Sequence, residues 1–181
     1  MVKDFMPFHT IKKLYEKSYK ELYKLFDKAR IERSSKCKAS YAGVTKTGDI
    51  LFRVTSQYTK GKLYTVTIKL LDLEDAKKLL IDGKQLNTTQ VLQLAMSGDI
   101  ELHCTCPDFK YRFSYLAFNN KYGFFKETRF PKKRNPELKG CACKHCYSAL
   151  KVLPMHFKSI QSDLMKRKIL MNPKVKIKPL K

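Results

Sequence analysis

Apolar residues recur at three- and four-residue intervals over residues 9–33, at Ile11, Leu14, Tyr15, Leu22, Tyr23, Leu25, Phe26 and Ala29. That period predicts an amphipathic helix, with Thr10 as its N-cap. The opposite face carries Lys12, Lys13, Lys17, Lys20, Lys24 and Lys28, a row that suits solvent or phosphates. After Ser34-Ser35 the period falls to two. Residues 50–56 and 63–70 are β-branched, aromatic and partly alternating, with Thr59-Lys60-Gly61-Lys62 between them, which predicts a hairpin. An earlier strand and turn fit around Gly43 to Gly48. Leu73 to Ile81 fits a short helix stopped at Asp82-Gly83. Residues 91–96 read equally as strand or short helix.

Ser97-Gly98-Asp99 forms a turn into a strand from Ile100. On it Ile100, Leu102, Cys104 and Cys106 share one face, while Glu101, His103 and Thr105 share the other. His103 therefore reads as an exposed strand histidine. Residues 108–122 interleave Phe109, Tyr111, Phe113, Tyr115, Phe118 and Tyr122 with Lys110, Arg112 and Lys121. Such rings could stack bases, but packing is the preferred reading, because an irregular spacer must bury something. Residues 126–140 read as an exposed loop, in which Lys132, Lys133 and Arg134 are the sharpest candidates for phosphate contact. A helix is expected from His145 to Leu153, interrupted by Pro154, and another over 155–170.

These elements define an α+β chain: an N-terminal helix, a small antiparallel sheet, a metal-bound module and C-terminal helices. The expected segments are 1–34, 35–97, 98–153 and 154–181. A length of 181 residues suits one domain with an appendage, or two small ones. A hydrophobic content of 43% can build a core, and no apolar run reaches the length of a membrane span.

Charge changes the picture. Thirty-eight Lys and Arg face sixteen Asp and Glu, a formal net charge of +22. Self-repulsion on that scale works against a compact state unless a polyanion offsets it. Nucleic acid is the first candidate partner, and acidic surfaces of other protein subunits are the second. Residues 148–181 hold nine Lys or Arg and one acid, Asp163, so in isolation the tail reads as a disordered basic arm, whereas an ordered tail is expected to dock on a neighbour.

Five of the six cysteines lie in two short runs, Cys104-Thr105-Cys106 and Cys141-Ala142-Cys143-Lys144-His145-Cys146. Strand residues two apart aim at one point, so Cys104 and Cys106 can supply half of a tetrahedral site. Cys143 and His145 complete a Cys₃His set, for which Zn²⁺ is the favoured metal. Disulfides are the rival reading. Met1 to Phe8 contains no apolar run followed by a small-residue cleavage site, so no signal peptide is expected. In a reducing compartment clustered cysteines are metal ligands more often than bridges.

Cys-x-Cys followed by Cys-x-His at a helix start resembles the SWIM-type zinc finger, over roughly residues 98–153. The flanking Cys106-Pro107-Asp108-Phe109-Lys110-Tyr111-Arg112-Phe113, with Asn135-Pro136, resembles the version found in tailed-bacteriophage proteins. The resemblance implies a metal-held module used in DNA binding or protein contact, and no reaction. The chain departs from the pattern at Cys141 and Cys146, so Cys141 and Cys143 could form the second pair with His145 left out.

No catalytic set emerges. The chain lacks a Gly-rich phosphate loop, a Gly-x-Ser-x-Gly elbow and a His-Glu-x-x-His helix, and its acids are scattered. The expectation is a non-enzymatic structural component of a large assembly, a tailed-phage virion. It would contact DNA or neighbouring subunits and reside in the virion or host cytoplasm, with no membrane and no small-molecule substrate. The alternative is a free DNA- or RNA-binding protein that uses the basic loop and tail.

Overall fold

A computed structural model of the chain describes residues 22–81 and 87–170, with side chains from 28 to 78 and from 87 onward. The first part of the expected N-terminal helix, its stretch of lysines up to Lys20, the stop at Asp82-Gly83 and the tail beyond Leu170 lie outside the described residues. The rest is α+β. Helix α1 spans Leu22–Ser34, followed by strands β1 (Ala39–Val44), β2 (Ile50–Thr55) and β3 (Leu63–Leu70). Helices α2 (Leu73–Ile81) and α3 (Thr88–Ser97) precede strand β4 (Ile100–Cys104). A π-helical turn (Phe109–Phe113) runs into α4 (Ser114–Asn119). A long loop then leads to α5 (Lys144–Val152), a 3₁₀ turn (Leu153–His156) and α6 (Phe157–Lys166).

The four strands form one antiparallel sheet in sequence order. Alternation along each strand decides which face is buried. Ile50, Phe52 and Val54 of β2, Val66, Ile68 and Leu70 of β3, and Ile100, Leu102 and Cys104 of β4 are all buried. Against that face lies α5, in contact with every strand and with α1. Its Cys146, Ala149 and Leu150 complete the core. The segments 35–97 and 98–153 therefore share a sheet, since β4 pairs with β3 from Val66↔Cys104 to Leu70↔Ile100.

Residues 91–96, ambiguous by periodicity, are helical. The deciding signal lies outside the window: Asn87 accepts from the Gln90 amide at 2.9 Å, and the Gln90 side chain accepts from the Asn87 amide at 2.9 Å. This reciprocal cap satisfies two orphan donors and fixes the helix start. The aromatic spacer mainly packs. Phe109, Phe113 and Tyr122 are buried, and Tyr111 stays exposed. His103 differs from its expected exposure. It is half-buried, with its ring edge-on to Phe109 and Phe125 at 5.5 and 4.8 Å.

Candidate metal centre

The first half of the site is a strand end held straight. Beyond β4 the ladder continues, because the Thr105 amide donates to Thr65 O at 3.0 Å and the Thr65 amide donates to Thr105 Oγ1 at 3.0 Å. The extended backbone keeps Cys104 and Cys106 on the buried face, at 0% and 1% exposure. The chain then turns at Pro107-Asp108, and the Phe109 amide donates to Cys106 Sγ at 3.3 Å. An amide aimed at a sulfur stabilises a thiolate and orients it, the usual outer-shell support of a metal–sulfur bond.

The second half is a helix start. Cys143 occupies the N-cap of α5 with extended backbone, and His145 lies in the first turn. The incoming loop is pinned by Tyr122, whose hydroxyl donates to Cys141 O at 2.9 Å. Further back, buried Asn135 fastens the basic loop. Its Nδ2 donates to Arg112 O and Lys139 O at 3.2 and 2.9 Å, and its Oδ1 accepts from the Lys139 amide at 2.9 Å.

These two halves bring Cys104, Cys106, Cys143 and His145 together. All four are buried, and their donor atoms lie within 4.8 Å of one another, close enough to hold a metal ion. Tetrahedral bonds of ~2.3 Å would space sulfurs ~3.8 Å apart. The imidazole tests the fit independently. His145 Nδ1 is 3.9 Å from Cys143 Sγ, near the outer limit of a hydrogen bond to sulfur. His145 Nε2 is the one buried side-chain nitrogen or oxygen among the described residues with no hydrogen-bond partner. Leaving that nitrogen unsatisfied costs about 1–3 kcal/mol, which coordination at Nε2, rather than at Nδ1, would offset.

Burial pushes the thiols of Cys104, Cys143 and Cys146 upward. At Cys106 the contact with Cys104 lowers the value, but Cys143 and burial outweigh it, so this thiol is raised too. A cluster of sulfurs in a dry core resists ionisation until a cation arrives to share the charge.

The flanking cysteines separate into two kinds. Cys141 stands outside the group, with its sulfur 2.9 Å from the Tyr147 hydroxyl. Spacing leaves open whether Cys146 replaces a ligand, and its sulfur lies 3.6 Å from Cys143 Sγ. Helical geometry explains this. Residues three apart share a face, so an N-cap cysteine and the third residue of the helix meet. Among the described residues no disulfide joins any of the cysteines. The other sequence candidates, Lys132, Lys133 and Arg134, are exposed on the loop that Asn135 anchors, and they do not line the sulfur cluster. Among the described residues no helix is long and apolar enough to cross a membrane. No protein-family model, no curated protein and no solved structure matches the chain.

Proposed function

We propose that the chain is a non-enzymatic, zinc-stabilised structural component of a large assembly, with a basic surface that contacts DNA or neighbouring subunits. The observation that carries this reading is the closed, buried Cys₃His set joining the sheet edge to α5. Zinc suits a soft donor set with three sulfurs and one imidazole. Four protein ligands fill its shell, and that is the arrangement of a structural site rather than a catalytic one, which keeps a position open for water or substrate.

In this reading the metal fastens two segments 36 residues apart in sequence, the strand end at Cys106 and the helix start at Cys143. It also supports the irregular stretch between them. The net charge of +22 supports a polyanionic partner, and packaged DNA or acidic subunits would supply one. The tailed-phage virion is the setting implied by the resemblance of the Cys106–Phe113 and Asn135-Pro136 runs. Mass spectrometry of purified particles tests it: the chain should be present in fixed copy number after high-salt washing. Its absence from particles, with the free protein found in the lysate, would contradict the assembly role.

A further inference from the structure

Beside the metal centre lies a cleft of about 530 Å³ whose walls come from four separate parts of the fold. One wall is α1, with Arg30 and Arg33. Facing it are Tyr58 from the β2–β3 loop, Lys144 from the start of α5, and Asp108 and Arg112 from the π-helical turn. Four cations thus converge on a space that holds one carboxylate.

The internal bonds of these groups show what remains for a ligand. Asp108 draws in Arg30 at 3.4 Å and Arg112 at 3.0 Å, and it fixes their positions. Arg30 is buried, with its guanidinium 4.8 Å from the Phe113 ring centre, so it forms the floor. Arg33 spends its Nε on Ala29 O at 2.9 Å, and Lys144 donates to Gln57 Oε1 at 2.9 Å. A guanidinium has five donors and an ammonium three, so Arg33, Arg112 and Lys144 retain capacity. Tyr58 carries the other half of the signal. Lys144 Nζ sits 4.1 Å from its ring centre, and the residue is nonetheless 76% exposed. An exposed ring beside clustered cations offers a stacking platform next to phosphate contacts.

We propose that this cleft binds single-stranded nucleic acid, with phosphates held by Arg33, Arg112 and Lys144 and a base stacked on Tyr58. A duplex keeps its bases inside, so it could use the cations but not the ring. The proposal rests on reading the basic surface as a polyanion contact, and it adds the place and the strandedness. It also gives the metal centre a second consequence. Lys144 lies between Cys143 and His145, and Pro107-Asp108 follow Cys106 directly, so a bound ion would set the distance between two cleft walls.

Fluorescence anisotropy with full-length zinc-loaded protein and labelled oligo-dT, oligo-U and a duplex of equal length tests the proposal, with zinc content measured for every variant. Tyr58→Ala, an exposed loop change, should weaken oligo-dT binding at least fivefold, equivalent to about 1 kcal/mol, and leave duplex binding within twofold. Arg33→Gln combined with Lys144→Gln should reduce the logarithmic salt slope on single strands by about 1.4, at ~0.7 per phosphate. Comparison of oligo-dT with oligo-U assigns the strand as DNA or RNA. Wild-type affinity in Tyr58→Ala and in Arg33→Gln alone, tighter binding of duplex, or equal competition by polyglutamate would each overturn the cleft assignment alone. Failure of the wild-type chain to bind any of these polyanions would overturn the basic-surface reading as well.

Discussion

Replacing His145 by alanine is the sharpest probe of the donor set. A structural zinc site supplies roughly 10–16 kcal/mol, so four bonds sharing it evenly contribute about 2.5–4 kcal/mol each. Loss of one bond then weakens zinc affinity by about 10²–10³. The neighbouring sulfur modifies that figure. Cys146 Sγ, 3.6 Å from Cys143 Sγ, is placed to take the vacated position. His145→Ala should therefore fall at the lower end of the range, and the double change with Cys146→Ser at the upper end. Cys141→Ser should leave affinity unaltered, because that sulfur is engaged with the Tyr147 hydroxyl. Competition against a chromophoric chelator measures the affinities. Cobalt substitution counts the thiolates, since charge-transfer intensity grows with each sulfur bound, and His145→Ala should gain intensity that the double variant loses. A larger loss for Cys141→Ser than for His145→Ala would refute the assignment and shift the ligand register by two residues.

Two further predictions concern the frame and a surface pair. A Cβ at Gly123 would meet Ala117 C, Ala117 Cβ and Phe118 N at 2.9 Å, beside its bridge to Leu102, so Gly123→Ala should cost about 1–3 kcal/mol. An unchanged urea midpoint would contradict this. The Arg129 guanidinium, bonded to Glu127 at 2.9 and 2.6 Å, holds its carboxyl down to about 2. The folded value lies below the ordinary ~4.3, so the pair's stabilisation is present above that pH and is lost as pH falls through about 2. Arg129→Ala should thus be less stable than wild type near neutrality and equal to it in strong acid; a difference independent of pH across a denaturation series would contradict this.

Much of this architecture was legible in the residues. The hairpin of β2 and β3 follows from alternation on a half-buried sheet, and the placement of Cys104 and Cys106 on one face follows from the same period. The helix expected from His145 to Leu153 is found at Lys144–Val152, with Cys143 as its N-cap, as the resemblance implied. Other features depend on contacts between distant residues, which periodicity does not encode. The Phe109 amide reaches Cys106 Sγ through the turn at Pro107-Asp108. Tyr122 holds the Cys141 carbonyl across a loop, and Arg30 meets Asp108 across 78 positions. The nucleic-acid candidates show the same limit. A run such as Lys132-Lys133-Arg134 is visible in one dimension. The convergence of Arg33, Arg112, Lys144 and Tyr58 emerges only when α1, the π-helical turn, the β2–β3 loop and α5 come together.

Elemental analysis of protein purified without added metal tests the zinc-held fold most directly, read alongside thermal unfolding before and after exhaustive chelation. The predicted result is about one zinc per chain, with loss of the cooperative thermal transition once the metal is removed. Metal-free protein that unfolds cooperatively at the same temperature with and without chelator would contradict it.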